Sequence, residues 1–233
     1  MEFYAETTQP LTEHIALLAQ KGSPSGGTGR PLNGWLLRLD NEAIAFDAGL
    51  PAHLDALDGL DVPLKAIVLS HADVAAQAEA VHDLAEAHGC AVFLHEADIA
   101  DRRLDGRRER FSPVQGLPVA VASFDRLRLE LVEIPGHSPG SVMLYDPREG
   151  GALLTGDSAV TPGPEQDAEP ERIEYPRMDD EAFAVFAARW RALLGTTRIA
   201  HVLPLHGRAY TYRDDATALL GAMLERAPMR PGG

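Results

Sequence analysis

Apolar residues along the chain fall into two kinds of segment, which are short continuous runs and longer stretches with helical spacing. The short runs predict β-strands, because four or five apolar residues between turn residues are typical of buried strands. They cover residues 15–18, 35–39, 43–46, 66–69, 91–94, 152–155 and 199–203. Leu127, Leu129 and Leu131 instead alternate with charged residues, which predicts a half-buried strand.

Three stretches with helical spacing lie between or after these runs. Residues 75–88 are rich in alanine, and Gly89 follows where a left-handed helix cap is expected. The next stretch has Asp179 or Asp180 as its cap, Gly195 as its predicted end and an apolar face formed by Phe183, Phe186, Trp190 and Leu193. A closing helix carries Ala216, Leu219, Leu220, Met223 and Leu224. Strands that alternate with helices predict an α/β protein.

Two segments lack such patterns and predict surface loops. Residues 21–33 contain six glycines and prolines with few apolar anchors, so we expect a mobile flap. Residues 162–180 are acidic and rich in proline, which predicts a surface excursion near the mouth of a site. With 233 residues, the chain is expected to form one domain covering residues 1–233.

Composition narrows the classes of function. The chain is 45% hydrophobic and 24% charged, and it has neither a membrane-length apolar run nor a signal-like N-terminus, so we expect a cytoplasmic protein. A net charge of -14 argues against nucleic acid as a partner. The arginine-rich segment at residues 101–110 is interpreted as an internally paired surface. The one cysteine, Cys90, is interpreted as a small buried apolar residue.

Four polar residues follow the ends of predicted strands, namely His71, His137, Asp157 and His206. Ligand sites of α/β sheets form at the carboxyl ends of strands, and imidazole with carboxylate suits zinc, iron or manganese. A metal site is therefore predicted where these strand ends meet. The other histidines on predicted helices and strands are interpreted as surface, capping or structural residues, and they are His82, His88, His95 and His201.

Several motifs resemble the metallo-β-lactamase superfamily, and within it the glyoxalase II-like hydrolases. They are Gly-His-Ser-Pro-Gly-Ser at 136–141, Thr-Gly-Asp at 155–157, Asp-Ala-Gly at 47–49, Leu-Ser-His at 69–71 and Leu-Pro-Leu-His-Gly at 203–207. The resemblance implies a four-layer αββα sandwich, a metal-dependent hydrolase and a role for Asp47 in orienting groups of the site.

One motif departs from the family pattern. Where the family has His-x-His-x-Asp-His, this chain reads His-Ala-Asp-Val-Ala-Ala at residues 71–76. Ala75 and Ala76 cannot coordinate a metal, so the resemblance implies one ion held by His71, Asp73 and His137 with help from Asp157. Of the ligands that the family uses for a second ion, only His206 and a share of Asp157 remain. Zinc is the expected metal, and iron or manganese are the alternatives.

The resemblance implies a hydrolase that acts on a small ester, thioester or similar acyl substrate. The expected base is Asp157 or His206, with Tyr210 and Tyr212 as candidate donors to a developing oxyanion. The alternative hypothesis is a non-catalytic relative that binds a small ligand or partner in the same cleft.

Overall fold

The computed structural model describes residues 9–24, 31–48, 53, 56–57, 59–77, 80–160, 175–176, 178–207, 209–211 and 215–226. Within these ranges the strands form two mixed sheets. The first sheet has the order β1 to β7, with β1 Gln9–Pro10, β2 Ile15–Pro24, β3 Pro31–Leu39, β4 Glu42–Phe46, β5 Leu64–Val68, β6 Ala91–Leu94 and β7 Phe111–Pro113. Strands β1 to β4 pair antiparallel, whereas β4 to β7 pair parallel.

The second sheet has the order β12-β11-β10-β9-β8. Its strands are β8 Glu130–Glu133, β9 Val142–Asp146, β10 Ala152–Gly156, β11 His201–Pro204 and β12 Tyr210–Thr211. Strands β10 and β11 are parallel, and the other pairs are antiparallel. Strands β8, β10 and β11 therefore run in the same direction and end at the same edge.

The α-helices are α1 Ala72–Gln77, α2 Val81–His88, α3 Glu96–Ile99, α4 Leu117–Ala120, α5 Asp180–Thr196 and α6 Thr217–Arg226. Short 3-10 helices lie at Arg102–Leu104, Arg108–Arg110, Val114–Gly116 and Arg148–Gly150. None of the helices in the described ranges is both long enough and apolar enough to cross a membrane.

Three apolar layers hold the elements together. Val74, Val81 and Leu84 pack the first helices against one face of the first sheet. A central layer joins the two sheets through Trp35, Leu37, Phe46, Val142, Leu144 and Leu154. A third layer packs α5 and α6 on the second sheet through Phe186, Trp190, Leu220 and Leu224. The result is the αββα sandwich that the sequence predicts.

The predicted helix at residues 75–88 is wrong in its boundaries. The chain forms α1 from Ala72 and then α2 from Val81, with residues 78 and 79 outside the described part. Gly89 does end α2 in the left-handed conformation, at φ 62°, as predicted. His82 is buried rather than on the surface, because its ring packs edge-on against Phe111 with centroids 4.8 Å apart.

The alternation at Leu127, Leu129 and Leu131 overstates a strand. Residues 122–128 form turns and β8 begins only at Glu130. The turn is closed by a hydrogen bond from Leu129 N to Phe124 O, and Arg128 takes a positive φ of 56°. Leu127, Leu129 and Leu131 pack into the central layer. Their alternation with charged residues therefore reflects this packing and not a continuous strand.

The predicted flap at residues 21–33 is strand at both ends, since β2 reaches Pro24 and β3 begins at Pro31. Its residues 25–30 lie outside the described part, as does most of the acidic segment at 162–180. Asp179 caps α5 as predicted, because its side chain accepts a hydrogen bond from Ala182 N. Gly195 does not end α5, which continues to Thr196.

Trp190 anchors the third layer with no exposed surface, whereas Val185 on the same helix is 50% exposed. Trp190→Ala should lower the free energy of unfolding by about 3–5 kcal/mol, because it removes buried contacts and leaves a cavity. Val185→Ala is the matched control and should change it by less than about 0.5 kcal/mol. Urea denaturation measures both. Equal losses in the two variants would contradict the burial of this helix face.

Candidate metal centre

The site lies where the carboxyl ends of both sheets meet. On the first sheet, β4 is followed by Asp47 and β5 by His71. On the second, His137, Asp157 and His206 follow β8, β10 and β11, which end at the same edge. A backbone hydrogen bond from Val142 N to Ser70 O, 2.9 Å long, joins the two sheets beside the site. The strand-end histidines and Asp157 thus converge as the sequence predicts.

Asp157 Oδ2 is at the centre of this group. It lies 3.7 Å from His71 Nε2, 3.7 Å from His137 Nε2 and 3.4 Å from His206 Nε2. Ligand atoms of His71, His137 and Asp157 all lie within 4.8 Å of one another. Ligands at about 2.0–2.2 Å from a tetrahedral zinc ion are about 3.3–3.6 Å apart. The distances from Asp157 Oδ2 to the three histidine nitrogens are therefore close to those between the ligands of a metal ion.

Two buried atoms of this set lack hydrogen-bond partners among the described residues. They are His71 Nε2 and Asp157 Oδ1. The other ring nitrogen of His71, Nδ1, is 2.8 Å from Ser70 Oγ, which fixes the ring and directs Nε2 toward Asp157. Burial lowers the pKa of His71 to about 4, so the ring is neutral at neutral pH and its nitrogen can donate a lone pair. The residues present fit a divalent metal ion.

Asp73 lies beside the group and is shared between two partners. Its Oδ2 is 3.3 Å from His137 Nε2, and its Oδ1 is 2.5 Å from Arg103 Nη1. The contact with His137, followed by that with Arg103, holds the pKa of Asp73 well below its usual range. The contact with Asp73 in turn raises the pKa of His137. Asp73 is in the first turn of α1 rather than in the extended loop that its spacing from His71 indicates.

The arginine-rich segment is internally paired, as predicted, and it also reaches the site. Arg108 pairs with Asp105 at 2.7 Å, and Arg103 holds both oxygens of Asp101. The remaining contact of Arg103 is the one to Asp73. The sequence gives no signal for this contact, because 30 residues separate the two partners.

The positions that break the family pattern lie on α1. Ala75 is fully buried in the first apolar layer, and Ala76 packs against that layer. His206, which follows β11, contacts Asp157. Tyr210 is on β12 and packs against the third apolar layer, so its role as an oxyanion donor stays a prediction. Tyr212 lies outside the described residues.

The loop that carries His206 is fastened to the first sheet. Asn33 N donates to Leu205 O at 2.7 Å, and Asn33 Nδ2 donates to Pro204 O and Gly207 O at 3.0 and 2.8 Å. Trp35 Nε1 also donates to Pro204 O, at 3.2 Å. These bonds hold His206 against β3 across the interface between the sheets. The sequence predicts His206 but not the residues that hold it.

A buried carboxylate that the sequence analysis missed is Asp98, in α3 after β6. Its side chain is 1% exposed and contacts both loops that carry His71 and His137. Asp98 stands in a stretch with many charged residues, and nothing local distinguishes it from a surface aspartate. His95, just before it, caps α3 by accepting a hydrogen bond from Ala97 N, which agrees with a structural role.

Asp47 holds the backbone of the residue before His71 by a hydrogen bond. Its Oδ1 accepts a hydrogen bond from Ser70 N at 2.7 Å, and its Oδ2 is buried without a hydrogen-bond partner among the described residues. Burial, opposed by the bonds from Ser70, raises the pKa of Asp47 to about 7. The side chain therefore orients the residue next to His71, as the family resemblance implies.

The raised pKa of Asp47 predicts a dependence of stability on pH in metal-free protein. The folded chain keeps a proton on Asp47 from its ordinary pKa of 3.8 up to about 7, and the unfolded chain does not. The stabilisation is complete below about pH 4 and is lost as the pH rises to about 7, by a few kcal/mol at most. Asp47→Asn should remove this decline from urea-denaturation profiles. Parallel profiles for both proteins would show that the folded-state pKa is not raised.

Comparisons with known proteins agree with the fold. The family model described as the metallo-beta-lactamase superfamily matches residues 27–221. No curated protein matches the chain. Among solved structures, the metallo-beta-lactamase from Pontibacter korlensis is 15% identical with a TM-score of 0.61, over 94% of this chain and 98% of that one.

Two further structures are similar. The flavodiiron protein from Giardia intestinalis is 14% identical with a TM-score of 0.61, over 94% of this chain and 58% of that one. TTHA1623, described in a di-iron-bound form, is 22% identical with a TM-score of 0.52, over 89% of this chain and 98% of that one. With a family match over most of its length and a strand-end donor group in the expected place, the chain belongs to the metallo-β-lactamase superfamily.

Proposed function

We propose that the protein is a hydrolase with one metal ion, acting on a small ester, thioester or similar acyl substrate. The observation that carries the proposal is the donor group of His71, His137 and Asp157, with a buried ring nitrogen and a carboxylate oxygen that have no other hydrogen-bond partner among the described residues. Members of the superfamily are generally metal-dependent hydrolases. A divalent ion held there would act as a Lewis acid and lower the pKa of bound water.

The count of ligands supports one ion rather than two. The first ion would be held by His71, His137 and Asp157, with Asp73 Oδ2 beside His137 as a further ligand. A second ion would have only His206 and a share of Asp157, because α1 presents alanines at positions 75 and 76. Zinc in proteins takes about four ligands, so this second position falls short.

Zinc is the metal we propose, because imidazole and carboxylate donors are usual for it. Iron is the alternative, since two of the similar structures are described as flavodiiron or di-iron proteins. The carboxylates of Asp73 and Asp157 are also suited to iron or manganese. Elemental analysis of protein purified without added metal decides among them.

His206 and Asp157 are the residues we propose for proton transfer. Burial acts to raise the pKa of Asp157, but contact with His206 and charges of His71 and His137 hold it below its ordinary value. Asp157 is thus ionised at neutral pH and can orient the imidazole of His206, 3.4 Å away. Their side chains are 11% and 16% exposed, so water can reach both. His206 would accept the proton from the attacking water.

The metal assignment predicts one tightly held ion per chain, measured by elemental analysis after dialysis. His137→Ala should abolish it, because the variant loses one of the three donors that hold the ion. His88→Ala, in the last turn of α2, is the matched control and should keep the ion. Two ions held with equal affinity in the wild type would overturn the single-ion proposal, and full metal content in His137→Ala would overturn the ligand set.

The proton-transfer role predicts a different result for His206→Ala. Its metal content should stay near that of the wild type, while kcat for an aryl ester or thioester should fall about 100-fold or more. Removal of metal with a chelator should abolish the wild-type activity, and addition of metal should restore it. Unchanged kcat in His206→Ala would remove it as the base. Absence of activity on the whole acyl series with a full metal site would favour the ligand-binding alternative.

A further inference from the structure

We propose that Asp98 is a positioning residue that holds the two loops carrying His71 and His137 in metal-binding geometry before an ion is bound. The proposal rests on the metal site proposed above and adds a residue that does not itself belong to the donor group. Asp98 would act only through the backbone and the hydroxyl group next to the two histidines.

The contacts of Asp98 divide between the two loops. Its Oδ2 accepts hydrogen bonds from Ala72 N at 2.8 Å and Ser138 Oγ at 2.6 Å, and its Oδ1 accepts one from Gly140 N at 2.8 Å. Ala72 directly follows His71, and Ser138 directly follows His137. A single carboxylate thus fixes the residue after each histidine, although the histidines are 66 positions apart in the chain.

The buried carboxylate of Asp98 is compensated by hydrogen bonds rather than by an ion pair. Its side chain is 1% exposed, and no ion pair among the described residues includes it. A buried carboxylate costs several kcal/mol unless hydrogen bonds compensate for its lost hydration. Here all three compensating donors come from the ligand loops. Any displacement of either loop therefore leaves the carboxylate with too few donors, which gives the loops one preferred position.

The sequence of the second loop is fitted to this carboxylate. A Cβ atom at Gly140 would lie 2.8 Å from Asp98 Oδ1, so glycine is needed for the close approach. Ser138 also bonds to Ser141 Oγ at 2.9 Å, and Ser141 Oγ accepts from Ser138 N at 2.9 Å. Ser138 and Gly140 thus donate hydrogen bonds to Asp98, and Ser141 holds Ser138 in position.

Asp98→Asn tests the proposal with little change in shape. Whichever way the amide is turned, its Nδ2 faces an N–H or O–H donor, so all three hydrogen bonds cannot be kept. We expect the dissociation constant for Zn²⁺ to rise roughly 10–100-fold, as for other groups that orient metal ligands. Ser138→Ala removes one bond of the three and should raise it by a smaller factor. Asp83→Asn, with a side chain 85% exposed, is the matched control.

Two further measurements separate positioning from a general loss of stability. In metal-free Asp98→Asn, amide exchange should quicken at residues 70–73 and 136–141 and stay unchanged in β4 and β5. The absorption spectrum of Co²⁺-loaded Asp98→Asn should differ from that of the wild type, because the ligand geometry changes. An unchanged spectrum together with an unchanged dissociation constant would overturn the proposal and leave the metal site intact.

The outcomes also separate this proposal from that of the metal site. If the wild type binds no metal, the proposed site is wrong, and unchanged exchange in both loops of Asp98→Asn would then overturn the role of Asp98 as well. If Asp98→Asn does not fold, Ser138→Ala decides. A weaker metal affinity and faster exchange confined to the two loops support positioning, and wild-type values in both measurements overturn it.

Discussion

Three imidazole rings face a single carboxylate oxygen, Asp157 Oδ2, and the rest of the site is built around this crowding. Three ring nitrogens at 3.4–3.7 Å from one oxygen is a close arrangement for groups that are largely shielded from water. One of the rings, His71, is neutral at neutral pH because it is buried. The surrounding fold holds the donors at these distances, and a cation bound by His71, His137 and Asp157 would satisfy the two buried atoms that lack hydrogen-bond partners among the described residues.

The second constraint is that α1 carries fewer metal-ligating side chains than the family motif has at these positions. Asp73 is the one residue of α1 that contacts the donor group, through His137, and its other oxygen belongs to Arg103. Arg103 carries a fixed positive charge, since a guanidinium stays protonated in proteins. A permanent cation thus lies beside Asp73 at the edge of the site.

What the sequence predicts here is the part that depends on local pattern. Strand ends are marked by apolar runs, so His71 and Asp157 could be placed at the site without coordinates. The site residues that were missed act through contacts between distant segments. Asp98 looks like any aspartate in a charged stretch, and Arg103 like any surface arginine. The turn at Leu127 resembles a strand for the same reason, because packing in the central layer places apolar residues at every second position although residues 122–128 form turns.

The bonds from Asn33 to the loop of His206 join residues that are 171 and 174 positions apart. Loop closure over such a distance is entropically costly, and contacts of this kind tend to form after local ones during folding. The final position of His206 therefore depends on the contact between the two sheets. A nascent chain that still lacks β11 has His71, His137 and Asp157 already synthesised. The order of synthesis thus separates the three central donors from the residue that we assign to proton transfer.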